Sequence, residues 1–331
     1  MHAPELKPGN AARGHWQHAA DIRTPLALLY LHGFSASPGE AGALPEQMAD
    51  ALAANAYVHR WPGHGLNSPN AMQGLTPAVL QASALEALAQ AQRMGQRVVI
   101  IGSSMGATLG LWLAVQHPDA VAAVVAWSPG IQPADPALLD QVCAAQAPLT
   151  DPRPRTPAAR AFWSETIHPD GFRALRSLFR MVATDPPWPR VRCPVLLGYY
   201  RATDGREDAT ASVPAMLAMF AALGTAPAHK RAIAFDSGAH AIGSPHKTPM
   251  AGTVAQASVA FLQAQLGAAP RRTPPTLEHN AVGNGRCRRE PQCSRPGEHA
   301  PLALAAAPGT HARGSLHVDR IHWRTIPLPP R

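Results

Sequence analysis

Four short runs of almost uninterrupted apolar residues constrain this chain most: Leu26-Ala-Leu-Leu-Tyr-Leu31, Val98-Val-Ile-Ile101, Val121 to Trp127 and Val195-Leu-Leu-Gly-Tyr-Tyr200. A strand with one wet face alternates polar and apolar residues, whereas a strand covered on both faces does not need to. Each run is short enough to be a buried strand. Helical spacing fills the intervals, at Pro45 to Ala54, Ala78 to Met94, Ala107 to Gln116, Val213 to Leu223 and Thr253 to Leu266. Shorter strands are expected at Tyr57-Val58 and Ile233-Ala-Phe235. Strands alternating with helices predict an α/β fold, a doubly wound, mostly parallel sheet with helices on both faces.

The alternation divides the 331 residues. Residues 1–24 are polar and read as a leader on the surface or an edge strand. Residues 25–130 and 191–267 carry the periodic pattern and form the core. Residues 131–190 are rich in Pro and Arg and interrupt it, with one helix expected from Gly171 to Val182; they read as an insertion between two halves of one sheet. Residues 268–331 hold ten prolines and little apolar periodicity, and are expected to be disordered. With 46% hydrophobic and 15% charged residues, the chain as a whole is not a disordered one.

The formal net charge of +8 suggests a polyanion partner, but its distribution argues otherwise. Residues 268–331 account for +6, leaving +2 over the rest. Only this tail offers a basic arm, and it lacks lysine and aromatic interleaving beyond Trp323, so nucleic acid is not the expected partner. No apolar run approaches the roughly 18 residues of a membrane span, and the N-terminus lacks the apolar stretch of a secretory signal. Cys143, Cys193, Cys287 and Cys293 show neither metal-ligand spacing nor a disulfide framework. A cytoplasmic protein with no metal or cofactor is the expectation, its partner a small molecule; the oligomeric state is left open.

Gly102-Ser103-Ser104-Met105-Gly106 matches G-x-S-x-G. Composition alone gives about 0.1 such matches in a chain like this, and this one falls between an expected strand and an expected helix. That setting makes Ser104 a candidate nucleophile on a tight turn at a helix N-terminus. A serine hydroxyl needs a base, usually a histidine oriented by a carboxylate. His240 follows the last short strand and is the favoured base; His246 lies deeper in a Pro-flanked loop, and His229 precedes the strand. The carboxylate is expected after Val195–Tyr200, where Asp204, Glu207 and Asp208 are candidates and spacing from the strand favours Asp204. Developing oxyanion charge calls for backbone donors. Met105 N–H follows the nucleophile, and Phe34 N–H lies in the loop His32-Gly33-Phe34-Ser35 after the first strand. His32 is expected to be structural, as is the turn Pro62-Gly63-His64-Gly65; Trp61 and Met105 are candidates for either pocket wall or core.

The stretches LLYLHGFSASPGE, WPGHG, VVIIGSSMGATLGLWLA, PVLLGYY, REDATASVPAML and DSGAHAIGSP together resemble the α/β-hydrolase superfamily, and more narrowly its carboxylesterase and monoacylglycerol-lipase-like serine hydrolases. The resemblance spans roughly residues 26–266. It implies a Ser104–acid–His240 triad, with Phe34 and Met105 as oxyanion donors and residues 131–190 as a cap. It favours Asp208 as the acid, because Asp208 stands five residues before Val213 at the start of the next helix. Two features depart from the pattern: Ala107 replaces a frequent glycine, and the segment from Tyr200 to Asp208 is longer and more polar. The resemblance implies an ester hydrolase working through an acyl-enzyme on Ser104. Thioester or amide hydrolysis, acyl transfer and non-catalytic ligand binding are the alternatives.

Overall fold

A computed structural model describes residues 5–267 together with Arg324–Thr325. In chain order the elements are β1 (Glu5–Leu6), β2 (Arg13–His15), β3 (Thr24–Leu31), α1 (Leu44–Ala51), β4 (Asn55–Val58), β5 (Leu66–Asn67), α2 (Pro77–Met94), β6 (Gly95–Ser103), α3 (Met105–Gln116) and β7 (Val121–Trp127). Then follow α4 (Pro136–Ala144), β8 (Leu149–Thr150), α5 (Pro157–Phe162), β9 (Thr166–Ile167), α6 (Pro169–Thr184), β10 (Val195–Tyr200), α7 (Val213–Ala222), β11 (Lys230–Phe235), α8 (Ala251–Leu266) and β12 (Arg324–Thr325).

Seven strands form the main sheet in the order β11-β10-β7-β6-β3-β4-β2. All neighbours are parallel except β2, which runs antiparallel to β4 at the edge. The edge-strand alternative for residues 1–24 therefore holds for Arg13–His15. The continuous apolar runs have a direct explanation in the two faces of this sheet. Leu29, Leu31, Ile100 and Val124 pack on one side with α2 and α3. Leu28, Tyr30, Ile101 and Val125 pack on the other with α1 and α8. Successive side chains alternate between two buried layers, so neither register can be polar.

From β3 the chain winds outward to β4, then returns to place β6 on the other flank of β3. The direction of winding reverses there, and the loops after β3 and β6 leave the carboxyl edge side by side, with Leu31 in register with Gly102. Such a reversal opens a crevice at the carboxyl ends of the strands.

The segment between β7 and β10 carries more structure than the sequence reading gave it. Besides α6, which extends the expected Gly171–Val182 helix at both ends, it holds α4, α5, β8 and β9. Asp135 and Thr156 cap α4 and α5, their side chains accepting from Leu138 N–H and Ala159 N–H, and Pro136 and Pro157 occupy the first turns. Proline suits that position because it has no N–H to leave unsatisfied. Arg324–Thr325 pair antiparallel with β8. The remainder of 268–331 lies outside the described residues.

Candidate functional site

β6 ends at Ser103, and the chain turns through Ser104 straight into α3. Ser104 has φ 52° and ψ −117°, a conformation that costs a non-glycine residue of order 1–3 kcal/mol. The turn is held by Ser104 N–H donating to Trp127 O at 2.9 Å, and by Ala107 and Thr108 N–H donating back to Ser104 O at 3.0 and 3.2 Å. A Cβ at Gly106 would collide with the Leu31 carbonyl, and one at Gly102 with the Ala107 backbone. Both glycines are required by close approach of the backbone. Met105 N–H, the first of α3, donates to no acceptor among the described residues. It stands at the positive end of the helix dipole.

The loop after β3 lies alongside. A Cβ at Gly33 would stand 3.4 Å from Ser104 Cβ and 3.3 Å from Glu40 Oε2. Phe34 N–H likewise donates to no acceptor among the described residues, and the Phe34 ring packs 5.4 Å from that of Phe172. His32 is buried and its ring is held at both nitrogens: Nδ1 meets Gly33 O at 2.9 Å and Nε2 accepts Trp61 N–H at 3.2 Å. Burial first, then the neighbouring His64, holds its pKa well below the ordinary value. Trp61 and Met105 are buried in the core cluster with α2 and α3. His64 is also buried, its Nδ1 held by Pro62 O, and burial lowers its pKa to about 4.

His240 sits in the loop after β11. Its Nδ1 is 2.6 Å from Asp208 Oδ2. Asp208 Oδ1 accepts Thr210 N–H at 2.8 Å and Ala211 N–H at 3.1 Å, and the Asp208 side chain is fully buried. Burial opposes the charge on each partner, but their mutual attraction and hydrogen bond prevail. The His240 pKa is raised and the Asp208 pKa lowered from their ordinary values, with Glu40 adding to the first and the two backbone donors to the second. His240 Nε2 is buried and carries no hydrogen bond.

The other candidates are occupied elsewhere. Asp204, which spacing from the strand favoured, is exposed and pairs with Arg206 at 2.8 Å, whereas the carboxylate that meets His240 is Asp208. Glu207 pairs with Arg201 at 2.6 Å. His246 Nε2 faces Gly39 O at 3.2 Å while its ring stacks on Phe162. His229 bonds Gln265 at the far end of β11.

One residue was not singled out from the sequence. Glu40 is buried, accepts from Tyr30 Oη at 2.9 Å and from Gly33 N–H at 3.2 Å, and so fixes the loop that carries Phe34. Burial raises its pKa against the hydrogen bonds from Ser103, Tyr30 and Gly33. The available signal was an acid among small residues directly after a buried strand.

Ser104, His240, Phe34 and Glu40 all line one cavity of about 520 Å³, whose walls include Leu138, Leu139 and Val142 of α4 and Leu175 and Phe179 of α6. Among the described residues no cluster of three His, Cys, Asp or Glu side chains is placed to hold a metal ion, and no helix is long and apolar enough to cross a membrane.

The parallel sheet reversing at β3, with a serine on a tight turn between strand and helix, defines an α/β-hydrolase fold. The chain belongs to the alpha/beta hydrolase family, whose sequence profile matches residues 28–257. No curated protein matches it in sequence. Among solved structures it is similar to one from a study of LipS and LipT, two metagenome-derived lipolytic enzymes, at 18% identity and a TM-score of 0.64, covering 78% of this chain and 100% of that one. A monoacylglycerol lipase from Paleococcus ferrophilus aligns at 17% identity with a TM-score of 0.59, covering 77% and 98%. A soluble variant of the monoglyceride lipase of Saccharomyces cerevisiae, solved with a substrate analog, aligns at 12% with a TM-score of 0.58, covering 80% and 96%. At these identities the likeness is one of fold.

Proposed function

We propose that this chain hydrolyses carboxylic esters through an acyl-enzyme on Ser104. The observation that carries the reading is the His240 imidazole: Asp208 binds its Nδ1 at 2.6 Å, and its Nε2 is left without a partner in the cavity that Ser104 lines. An imidazole held this way presents one basic nitrogen in a fixed tautomer.

Ser104 Oγ attacks the ester carbonyl carbon while His240 Nε2 takes the hydroxyl proton. The carbonyl oxygen becomes an oxyanion, held by the uncommitted Phe34 and Met105 N–H groups. Asp208 stabilises the imidazolium. Collapse breaks the bond to the alcohol oxygen, which leaves with the proton from His240. Water then attacks the acyl-enzyme with His240 again as base, releasing the acid and restoring Ser104. Residues 131–190 act as a cap over the core of 25–130 and 191–267; the α4 and α6 side chains in the cavity wall support this division. The unpaired thiols of Cys143 and Cys193 agree with a cytoplasmic setting.

The test is labelling with a fluorophosphonate beside turnover of p-nitrophenyl butyrate. Wild type should be labelled and active, and Ser104→Ala neither. A folded Ser104→Ala protein with full esterase activity overturns the assignment.

A further inference from the structure

The cavity is lined unevenly in charge. The α4 and α6 part of its lining is hydrocarbon, whereas Arg153, Arg155 and Lys247 also line it, with Asp151 among them. Asp151 is buried and already shared: its Oδ2 binds Arg153 Nη2 at 2.7 Å and Arg155 Nη2 at 2.9 Å. One carboxylate thus serves two guanidinium groups. Arg155 is largely buried, and its Nε has no acceptor. Lys247 Nζ lies 4.5 Å from the centre of the Trp163 ring and makes no hydrogen bond or ion pair among the described residues.

The remaining acids do not restore the balance. Asp135 is exposed and committed to capping α4. Glu40 is bound by Tyr30 Oη and Gly33 N–H, and burial disfavours its ionised form. The charges that Lys247 feels are those of Arg155, Arg153, Asp151 and Glu40, so even a fully charged Glu40 leaves three cations to two carboxylates around Lys247. Burial, then the charges of Arg155 and Arg153, also lowers the pKa of Lys247. Crowded cations with spare donors are stabilised by an anion that reaches them.

The cationic part borders the catalytic loops. Ser164 N–H donates to Ser35 O at 2.7 Å, tying the Trp163 segment to the Phe34 loop. Lys247 lies in the chain between His240 and α8, and feels the charge of Glu40, as His240 does.

We propose that the cavity takes amphiphilic substrates bearing an anionic group, a carboxylate or a phosphate, bound by Lys247 and Arg155 while a hydrocarbon arm lies against α4 and α6. This rests on the ester-hydrolase reading for its chemistry, which makes the substrate an anionic ester. The anion subsite itself does not depend on turnover.

The experiment separates the two. Octyl phosphate, octanoate and octanol are titrated calorimetrically into the full chain at low ionic strength, with p-nitrophenyl butyrate turnover followed on the same preparation. The expected result is at least about tenfold tighter binding of one or both anions than of octanol, weakening as salt is added. Phosphate and carboxylate sources are distinguished by which of the two binds more tightly. Lys247→Met should cut the ratio of anion to octanol affinity about fivefold or more, and Lys247→Arg should restore most of it. Equal affinity for octanol and both anions in wild type, or a ratio untouched by Lys247→Met, overturns the proposal. Anion binding without ester turnover would sink the hydrolase reading and leave the subsite standing.

Discussion

Asp208 and His240 lie 32 residues apart in the chain and meet at 2.6 Å on the carboxyl side of the sheet. The contact raises the imidazole pKa and lowers that of the carboxyl. A raised imidazole pKa delays the appearance of the free base. The acid limb of kcat/KM should therefore lie above the ordinary histidine value of about 6.5. Asp208→Asn removes the attraction and leaves burial, so the limb should move to lower pH while kcat falls by about 10³–10⁴-fold. A pH–rate profile of both proteins checks this; an unchanged limb in the variant contradicts it.

The same pair sets a stability window. The lowered Asp208 pKa contributes stability above its unfolded value, lost as pH falls through the folded one. The raised His240 pKa contributes stability below its unfolded value, lost as pH rises through the folded one. The Tm difference between wild type and Asp208→Asn should thus peak between about pH 4 and 6.5. Thermal unfolding across pH 3–9 measures it.

Asp204 supplies the contrast. It is exposed and pairs with Arg206, and exposed pairs contribute little. Asp204→Asn should keep kcat/KM within about twofold and leave the midpoint of thermal unfolding essentially unchanged. A large loss of turnover would return the acid role to Asp204.

The serine turn holds strain that substitutions can read. The backbone at Ser104, with φ 52°, strains alanine as it strains serine and relaxes with glycine. Ser104→Gly should be about 1 kcal/mol more stable than Ser104→Ala, both being inactive. Gly106→Ala, whose Cβ meets the Leu31 carbonyl, should lose about 1–3 kcal/mol. Denaturant unfolding of the three variants tests both statements.

The buried strands were legible because two-sided burial writes itself as an unbroken apolar run, and Val121–Trp127 and Val195–Tyr200 end where expected. Ser104 was legible because the tight turn needs glycine on both sides. The inserted segment was not. Its helices α4 and α5 are short and open on proline, which looks like loop in a Pro-rich stretch but is compatible with a capped first turn. Counting residues from β10 pointed to Asp204, whereas the carboxylate that meets His240 is Asp208. The chain folds back on itself there, Ala202 N–H donating to Arg206 O and Arg201 bridging Glu207, with Gly205 at φ 88°. That small hairpin absorbs the extra residues and returns Asp208 to His240. Glu40 and the Lys247–Arg155 cluster were invisible because they depend on contacts between distant segments.

The most direct measurement is peptide mapping of protein quenched in acid during steady turnover of p-nitrophenyl butyrate. The expected result is a butyryl group on the peptide containing Ser104, absent from Ser104→Ala and prolonged in a variant slow to deacylate. An adduct on another residue that persists in Ser104→Ala, or ester consumption undiminished in that variant, would contradict the account.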